Sequence, residues 1–275
     1  MLTLFPKFKK QLVIFEVVYV ALMVTLYLLK PTASPIALVL MLIVGVLFIA
    51  AAQYINAANA HNRQLNRLYN QLDVEGFLKE YEPHLRQNPK NPQLYIMIRM
   101  HLSNAYAAQG RFDEAMKLLT STPIKECKKH EQTLMNRFAV TSNLCYCAEQ
   151  MGDIDAAKKY LDQLHTYKKE LEEIQQTKKP KQRMAFSCAL NDQCMNFLST
   201  GKCDIQALKT QVQQNNTQQL HRITTSLWIA RAYLAEQNRR EAENILQQIV
   251  KLAPDLYPGQ EAARMLAELP AKTEN

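Results

Sequence analysis

Two long runs of apolar residues open the chain. The first covers about residues 11–29 and the second about residues 36–55, and a six-residue connection with two prolines separates them. At a rise of about 1.5 Å per residue, each run as a helix is long enough to cross a hydrocarbon core of about 30 Å. The pattern predicts a transmembrane helical hairpin within residues 1–56. A cleaved signal peptide is the alternative for the first run, but its length, the lack of an Ala-x-Ala site and the second run all count against it.

The positive residues around these runs predict the orientation of the hairpin. Three lysines precede the first run, Arg63 and Arg67 follow the second, and the connection contains Lys30 alone. Positive residues favour the cytoplasmic side, so a multi-pass protein with both termini in the cytoplasm is expected. The six cysteines would then be free thiols in a reducing compartment. Glu16, the one acid inside a span, either reaches the headgroups or has a functional role.

From residue 57 onward the apolar positions take the spacing of amphipathic helices joined by turns. The clearest example is residues 102–115, where Leu102, Ala105 and Tyr106 share one helix face. Gly110 can adopt the left-handed conformation that ends a helix, and two acidic residues then favour the start of a second helix. One such helix pair cannot bury its apolar faces alone, so stacked neighbours are expected.

Five helix pairs are predicted on this pattern. The first pair ends at an Asn-Pro stop at residues 88–92, the second covers about residues 93–119, and the third follows an insertion at residues 124–131. Lys178–Lys181 is predicted to end the third pair, the fourth pair turns at Gly201, and a last helix covers residues 259–269. The first helix is marked by Leu65, Leu68 and Leu72, and the small residues that let paired helices approach are Ala115, Ala157, Ala207 and Ala242.

The second pair resembles the tetratricopeptide repeat (TPR) family. The matching residues are Leu102, Tyr106, Gly110, Phe112, Glu114 and Ala115. Ser103 stands where the family has a glycine, and Arg99 stands where it has an early tryptophan. The resemblance covers roughly residues 57–270 and implies an all-α fold, in which a cytoplasmic TPR-like α-solenoid at residues 57–275 has about five helix pairs and a C-terminal capping helix.

The resemblance also implies a partner groove, because the first helix of each TPR pair lines a concave surface that holds a peptide or a partner helix. Asn104 matches an asparagine that some members use to grip a ligand backbone, but Met100 stands where a carboxylate clamp would need a cation. A mixed apolar groove with adaptable side chains is therefore expected. In the alternative, Met97 and Met100 only pack between pairs. The groove residues carried over by position are Met97, Met100, Asn104, Ala108, Ser142, Tyr146, Glu149, Arg231 and Leu234.

Composition narrows the classes of partner. The chain has 275 residues, of which 48% are hydrophobic, and a net charge of +8. The charge is spread over both parts of the chain, as +3 in residues 1–56 and +5 in the remainder. This mild basic bias does not predict nucleic-acid binding, and it fits a domain beside an anionic membrane surface. Only six glycines are present, which argues against phosphate-binding loops.

No motif for a metal, a nucleotide or a nucleophile is present. Cys145 and Cys147 lie two residues apart in a helical pattern and point away from each other, so Cys145 is expected to be a buried thiol. Cys188 and Cys194 lack the second pair that a zinc site needs, and His130 lacks the second histidine of a zinc protease. The sequence predicts a protein without catalytic residues, cofactor or metal.

These observations predict a membrane-anchored adaptor that binds an unidentified protein or peptide beside the lipid bilayer, and no nucleic acid. The alternative is a membrane assembly element that forms a homo-oligomer through the hairpin. Gly45 and the run Ala50–Ala52 would allow close contact of helices, either within the hairpin or between copies.

Overall fold

A computed structural model describes residues 5–29, 34–86, 92–124, 129–174, 178–213 and 217–270, and all regular structure in these residues is helical. The predicted connection at residues 30–35, the stop at residues 88–92 and the insertion at residues 124–131 lie partly or mainly outside the described residues. The chain divides into two compact units, residues 1–66 and 67–275. The α-helices are α1 Pro6–Leu29, α2 Pro35–Tyr69, α3 Val74–Tyr81, α4 Pro92–Ala108, α5 Phe112–Thr120, α6 His130–Met151, α7 Ile154–Glu173, α8 Lys178–Thr200, α9 Ile205–Gln213, α10 Gln219–Ala235, α11 Arg239–Leu252 and α12 Tyr257–Glu268, and a 3-10 segment, Glu82–Arg86, follows α3.

The N-terminal unit contains a helical hairpin. The hydroxyl of Tyr19 on α1 donates a 2.8 Å hydrogen bond to the carbonyl of Met41 on α2. The Tyr19 ring covers Gly45, since a Cβ added there would lie 2.1 Å from the ring. Phe8 packs against Ala57 in the same way, nearer the other end of α1. Because both contacts join residues at nearly equal distances from the connection, the two helices are antiparallel.

Both helices of the hairpin are long and apolar enough to cross a membrane, judged by length and composition. Their apolar side chains face outward, and Phe48, for example, is 75% exposed. Exposed apolar surface of this extent is unusual on a water-soluble protein and is normal on a helix surrounded by lipid.

The predicted boundary between residues 56 and 57 falls inside a continuous helix. α2 runs unbroken from Pro35 to Tyr69, because neither glycine nor proline interrupts it after Gly45. The end of α2, with Leu68 fully buried, supplies the first helix of the first pair. The prediction that Leu72 lies on this helix is wrong, since its φ of +60° places it in the turn that follows.

We group the described helices of the C-terminal unit that precede α12 into five pairs. Pair 1 is the end of α2 with α3, and pairs 2 to 5 are α4–α5, α6–α7, α8–α9 and α10–α11. Sequential helices pack on one another from α3 to α8 and from α9 to α12, and α4, α6 and α8 also pack side by side. Phe197 of α8 contacts Trp228 of α10, with ring centroids 5.8 Å apart. We call α4, α6, α8 and α10 the inner helices.

One predicted helix end is wrong. Lys178–Lys181 begins α8, whereas α7 already ends at Glu173. Pro180 lies in the first turn of α8, where the missing N–H of proline has no helical partner to lose. A proline that looks like a stop in sequence is therefore compatible with a helix start.

The turn inside each pair has the same backbone geometry. A residue with positive φ sits between the two helices of every pair, namely Leu72, Gly110, Gly152, Gly201 and Gln237. In pairs 2, 3 and 5 the next backbone N–H reaches back five residues to a helix carbonyl, from Arg111 to Tyr106, from Asp153 to Ala148 and from Asn238 to Tyr233. This is the Schellman arrangement, which satisfies carbonyls that the helix end leaves open. The three predicted turn glycines are confirmed as left-handed.

Small buried residues let paired helices approach in pairs 2, 3 and 5. Ala115, Ala157 and Ala242 are fully buried. The corresponding prediction for Ala207 in pair 4 is wrong, because Ala207 is partly exposed and Leu208 is the fully buried residue. The turn after Gly201 is two residues longer than in pairs 2, 3 and 5, so the buried position lies two residues later relative to the turn residue.

Replacement of Gln237 by glycine is expected to stabilise the protein by about 1 kcal/mol, because Gln237 holds a φ of +61° that only glycine adopts without strain. Gly152→Ala is the matched opposite change. Its Cβ would meet no heavy atom within 4 Å, so its destabilisation measures the backbone strain alone. Thermal unfolding of both variants checks this, and an unchanged or lower Tm for Gln237→Gly would contradict it.

The last helix returns to the second pair. Tyr257 of α12 packs edge-on against Phe112 of α5, with ring centroids 4.8 Å apart, and lies over Gly110. α12 also contacts α4. Near α10, the backbone N–H of Gln219 donates to Asn70 Oδ1 at 3.4 Å. These contacts join the two ends of the array, so that the inner helices surround a cavity.

Candidate functional site

A cavity of about 200 Å³ lies between the four inner helices. We call it the inner cavity. The lining of each inner helix includes two residues separated by one helical turn: Asn104 and Ala108 of α4, Ser142 and Tyr146 of α6, Ser187 and Asn191 of α8, and Leu220 and Thr224 of α10. Residues four apart share a helix face, so each inner helix presents one stripe to the cavity.

The lining residues lie at a different distance from the turn on each inner helix. Asn104 lies six residues before the left-handed turn residue of its pair, Ser142 ten before, Ser187 fourteen before and Leu220 seventeen before. Each successive inner helix therefore contributes the turn that lies about 3.6 residues earlier. The inner helices are offset along the cavity by about one helical turn per pair.

Hydrogen bonds between helices hold part of this wall. Asn104 Nδ2 donates to the Tyr69 hydroxyl at 2.8 Å, and this hydroxyl shares a second 2.8 Å hydrogen bond with His101 Nδ1. Burial raises the pKa of Tyr69 to about 12, so the phenol is neutral at physiological pH. In another part of the cavity lining, Ser142 Oγ and Ser187 Oγ share a 2.8 Å hydrogen bond that joins α6 to α8.

A second groove of about 290 Å³ continues from the inner cavity. It shares Tyr69, Asn104, Ser142 and Asn143 with the inner cavity, and its other lining is mainly apolar. We call it the methionine groove, after Met100, Met135 and Met184. Methionine side chains are flexible and polarisable, which suits contact with apolar groups of varied shape.

Five of the nine residues carried over from the family pattern line these two spaces. Asn104, Ala108, Ser142 and Tyr146 line the inner cavity, and Met100 lines the methionine groove. The structure brings them together on α4 and α6. Whether a partner binds there stays a prediction.

Arg231 and Leu234 lie elsewhere, in a groove between α10 and α12. Arg231 Nη2 is 3.1 Å from Glu261 Oε1, and its guanidinium stacks over the ring of Trp228. Arg231 has the same sequence distance from its turn residue as Asn104, but the offset of the inner helices moves that position away from the cavity. Here the Arg231 side chain ties α10 to the last helix.

Glu149 is not a surface residue either, since it is 2% exposed. The Cys145 thiol donates to Glu149 Oε1 at 3.4 Å, and Asp192 lies close enough to add to the repulsion of a negative charge. Burial raises the pKa of Glu149 to about 8, so its carboxyl is largely protonated at neutral pH. Met97, the remaining predicted groove residue, is partly buried on α4.

Burial also sets the pKa values of the cysteines near Glu149. Cys145 is fully buried, as predicted, and burial raises its pKa far above the usual range. The pKa of Cys147 is raised to about 12 for the same reason. Thiols in such surroundings are poor nucleophiles. Within the described ranges, no group of three or more His, Cys, Asp or Glu side chains is placed to hold a metal ion.

Pair 5 contains a stretch that matches a known family. Residues 225–255 match the tetratricopeptide repeat. This stretch contains most of α10 and all of α11, with the turn at Gln237 between them. The match and the all-helical structure together support the TPR superfamily. No curated protein and no solved structure matches the chain.

The other pairs repeat the features of this TPR segment. Its buried residues Ile229, Ala232 and Ala242 stand at the same places relative to the turn as Leu102, Ala105 and Ala115 in pair 2. Pair 3 repeats them again with Leu144, Cys147 and Ala157, all buried. The buried positions of the matched repeat therefore recur in pairs 2 and 3.

The lining residues of α8 and α10 are missed when positions are transferred in the family register. The sequence signal on α8 is a small polar residue four before another polar residue, Ser187 with Asn191, whereas the Leu220 and Thr224 pair on α10 carries no such signal. That signal is common on helices, and only the three-dimensional offset shows which turn faces the cavity.

Proposed function

We propose that the protein is a membrane-anchored adaptor that binds a protein partner through its TPR-like helix pairs. The observation that carries this proposal is the repetition, in pairs 2, 3 and 5, of the buried positions and turn geometry of the matched repeat. TPR-family domains are typically non-catalytic modules for protein–protein interaction. The helix pairs are read as a short TPR-like solenoid that curves until α12 reaches α4.

In this proposal α1 and α2 are the membrane anchor. Their length and their outward-facing apolar residues support a transmembrane hairpin. Positive residues flank both outer ends of the hairpin, which supports a cytoplasmic location for both termini. The repeat unit would then stand beside the inner membrane surface, where its net positive charge favours anionic lipid.

The partner is proposed to place an apolar segment in the methionine groove. Met100, Met135 and Phe138 supply an adaptable apolar surface there, and Asn104 and Ser142 supply polar contacts at the boundary with the inner cavity. An α-helix with side chains is about 10–12 Å across, which is wide for a groove of this volume. An extended segment fits better than a partner helix.

Assembly through the hairpin is the weaker candidate. Tyr19 of the same chain covers Gly45, so the closest-packing position on α2 is already occupied within the hairpin. The run Ala50–Ala52 stays outside that contact and is the part of the hairpin that a second copy would use.

Exchange of Met135 for aspartate is expected to reduce partner capture by at least about tenfold, because a charge in an apolar contact site opposes desolvation. Met151→Asp is the matched control, since Met151 lies on the same helix, outside the methionine groove, and is 46% exposed. The experiment is affinity capture with the full-length protein from solubilised membranes, with Tm measured for both variants. Equal capture by the two folded variants would argue against the methionine groove as the binding surface.

A further inference from the structure

Two amide groups in the inner cavity lack hydrogen-bond partners. Asn143 Nδ2 and Asn191 Nδ2 are buried and have none among the described residues. Both residues line the inner cavity, and Asn191 is 4% exposed. Buried amide donors in folded proteins are nearly always bonded to protein, water or a ligand. Each of the two side chains lines the cavity while its Nδ2 is covered, so a rotation about χ2 would turn unused N–H groups towards a hydrogen-bond acceptor in the cavity.

The rest of the polar wall is largely fixed by its own hydrogen bonds. Tyr69 pairs with Asn104 and His101, and Ser142 pairs with Ser187, as described above. These bonds join α2 to α4 and α6 to α8, and they hold both parts of the wall in place without a ligand. The unbonded amides thus stand in a preorganised frame, which lowers the cost of binding a small molecule.

The lining carries no permanent charge. None of the described residues that line the inner cavity is Lys, Arg, Asp or Glu. Burial lowers the pKa of His221 below its usual range, so its ring is uncharged at neutral pH. A charged ligand would lose its hydration here without gaining an opposite charge, and that loss is costly. The cavity therefore favours a neutral ligand.

The volume of the inner cavity sets the upper limit for the size of that ligand. An engineered cavity of about 150 Å³ in another protein binds benzene, so a space of about 200 Å³ holds a six-membered ring with small substituents. Leu190, Leu220 and Ala108 supply apolar wall for the body of such a ring. The polar atoms of the ligand must be oxygens that accept hydrogen bonds from the two amides.

We propose that the inner cavity is a binding site for a small neutral molecule, about one six-membered ring in size, that presents at least two carbonyl or hydroxyl oxygens to Asn143 and Asn191. This site goes beyond the adaptor function and does not depend on it. The partner contacts the methionine groove, whereas the small molecule occupies the polar space between the inner helices.

The test uses the full-length protein in detergent and matched neutral and charged probes. Uracil, thymine and glucose are the neutral probes, and orotate, which is uracil with a carboxylate, is the charged counterpart. Binding is followed by calorimetry at millimolar probe concentrations. At least one neutral probe is expected to bind, with orotate at least about tenfold weaker than uracil where uracil binds.

Variants connect binding to the two amides. Asn191→Leu is expected to weaken the bound probe by about tenfold, since it removes one hydrogen-bond donor from a buried site. Asn196→Leu, an exposed position on the same helix, is the control and should leave binding unchanged. Asn143→Ala provides a second variant if Asn191→Leu lowers the Tm too far for the protein to be studied.

Three outcomes would overturn the proposal: failure of all neutral probes to bind, binding of orotate as tight as that of uracil, or a crystal structure grown with uracil in which ordered water alone satisfies both amides. The adaptor function is tested separately, by the capture experiment with Met135→Asp. Failure of either test therefore leaves the other result interpretable.

Discussion

Replacement of Glu149 by glutamine is expected to make the protein more stable at pH 8 and above, and to change its stability little below pH 4.5. Glu149 is almost fully buried, and its pKa is raised from about 4.5 to about 8. Glutamine keeps the shape of the protonated side chain and cannot ionise. The free energies of unfolding of the two proteins should therefore differ only at pH values where the unfolded or the folded wild-type chain releases the Glu149 proton.

The direction of this pH effect follows from the folded chain binding the Glu149 proton more tightly than the unfolded chain does. Below pH 4.5 the carboxyl is protonated in both folded and unfolded chains, so burial carries no ionic penalty. As the pH rises towards 8, the unfolded chain releases the proton and the folded chain retains it, so the free energy of unfolding falls by about 1.4 kcal/mol per pH unit. Above that range the loss levels off at several kcal/mol.

Denaturant unfolding of wild-type protein and Glu149→Gln across this pH range measures the effect. The difference between the two proteins isolates Glu149, because all other titrating groups are shared. A difference that stays constant with pH would show that the Glu149 carboxyl is not buried as a neutral acid.

Replacement of Arg99 by methionine is expected to destabilise the protein by about 3 kcal/mol. Arg99 stands where the TPR pattern has a tryptophan, and it is 9% exposed. Its Nε donates to Thr122 Oγ1 at 2.7 Å, and its Nη2 donates to the Leu118 carbonyl at 2.8 Å. A further bond to Ser121 and one to the Tyr95 hydroxyl complete the set.

These bonds fasten the end of α5 to α4. Leu118 and Ser121 lie in and just after the last turn of α5, where open carbonyls attract a positive charge. Methionine would fill much of the same volume, but the buried Thr122 Oγ1 would lose its guanidinium donor and the bond from α4 to the Leu118 carbonyl would be lost. The planar fork of the guanidinium, rather than charge alone, matches their arrangement.

Arg99→Lys separates the two contributions. It keeps the charge and loses the fork, so it should be less destabilising than Arg99→Met but clearly less stable than the wild type. Denaturant midpoints for the three proteins provide the measurement. If Arg99→Met unfolds at the wild-type midpoint, the arginine is not the tie between α4 and α5 that its contacts indicate.

The turns show how far local sequence determines this fold. Gly110, Gly152 and Gly201 are left-handed as predicted, because glycine has no Cβ to oppose that conformation. Leu72 and Gln237 adopt the same conformation without that signal. In those two pairs the packing of the helices imposes the turn, and no property of leucine or glutamine reveals it.

The helix boundaries, too, follow only in part from local sequence. The change from apolar to polar residues near residue 56 suggested a boundary, but α2 continues to Tyr69 because helix geometry does not depend on the polarity of its outer face. The start of α8 at Lys178 was misread because Pro180 serves equally well as a stop or as a first-turn residue.

The candidate site was only half predictable. Asn104 of α4 and Ser142 of α6 follow from the TPR register, and both line the inner cavity. Residues of α8 and α10 were not, because the inner helices shift by about one turn per pair and no single-helix pattern encodes that shift. The buried amide of Asn191 became visible only when the four helices were assembled.

The most direct test of the adaptor is site-specific photocrosslinking in native membranes. A photoreactive amino acid is placed at Met100, in the methionine groove, and in parallel at Met151, outside it. The account predicts a discrete crosslinked partner protein from position 100 that is missing from position 151. No crosslinked protein at position 100, or the same products from both positions, would contradict it.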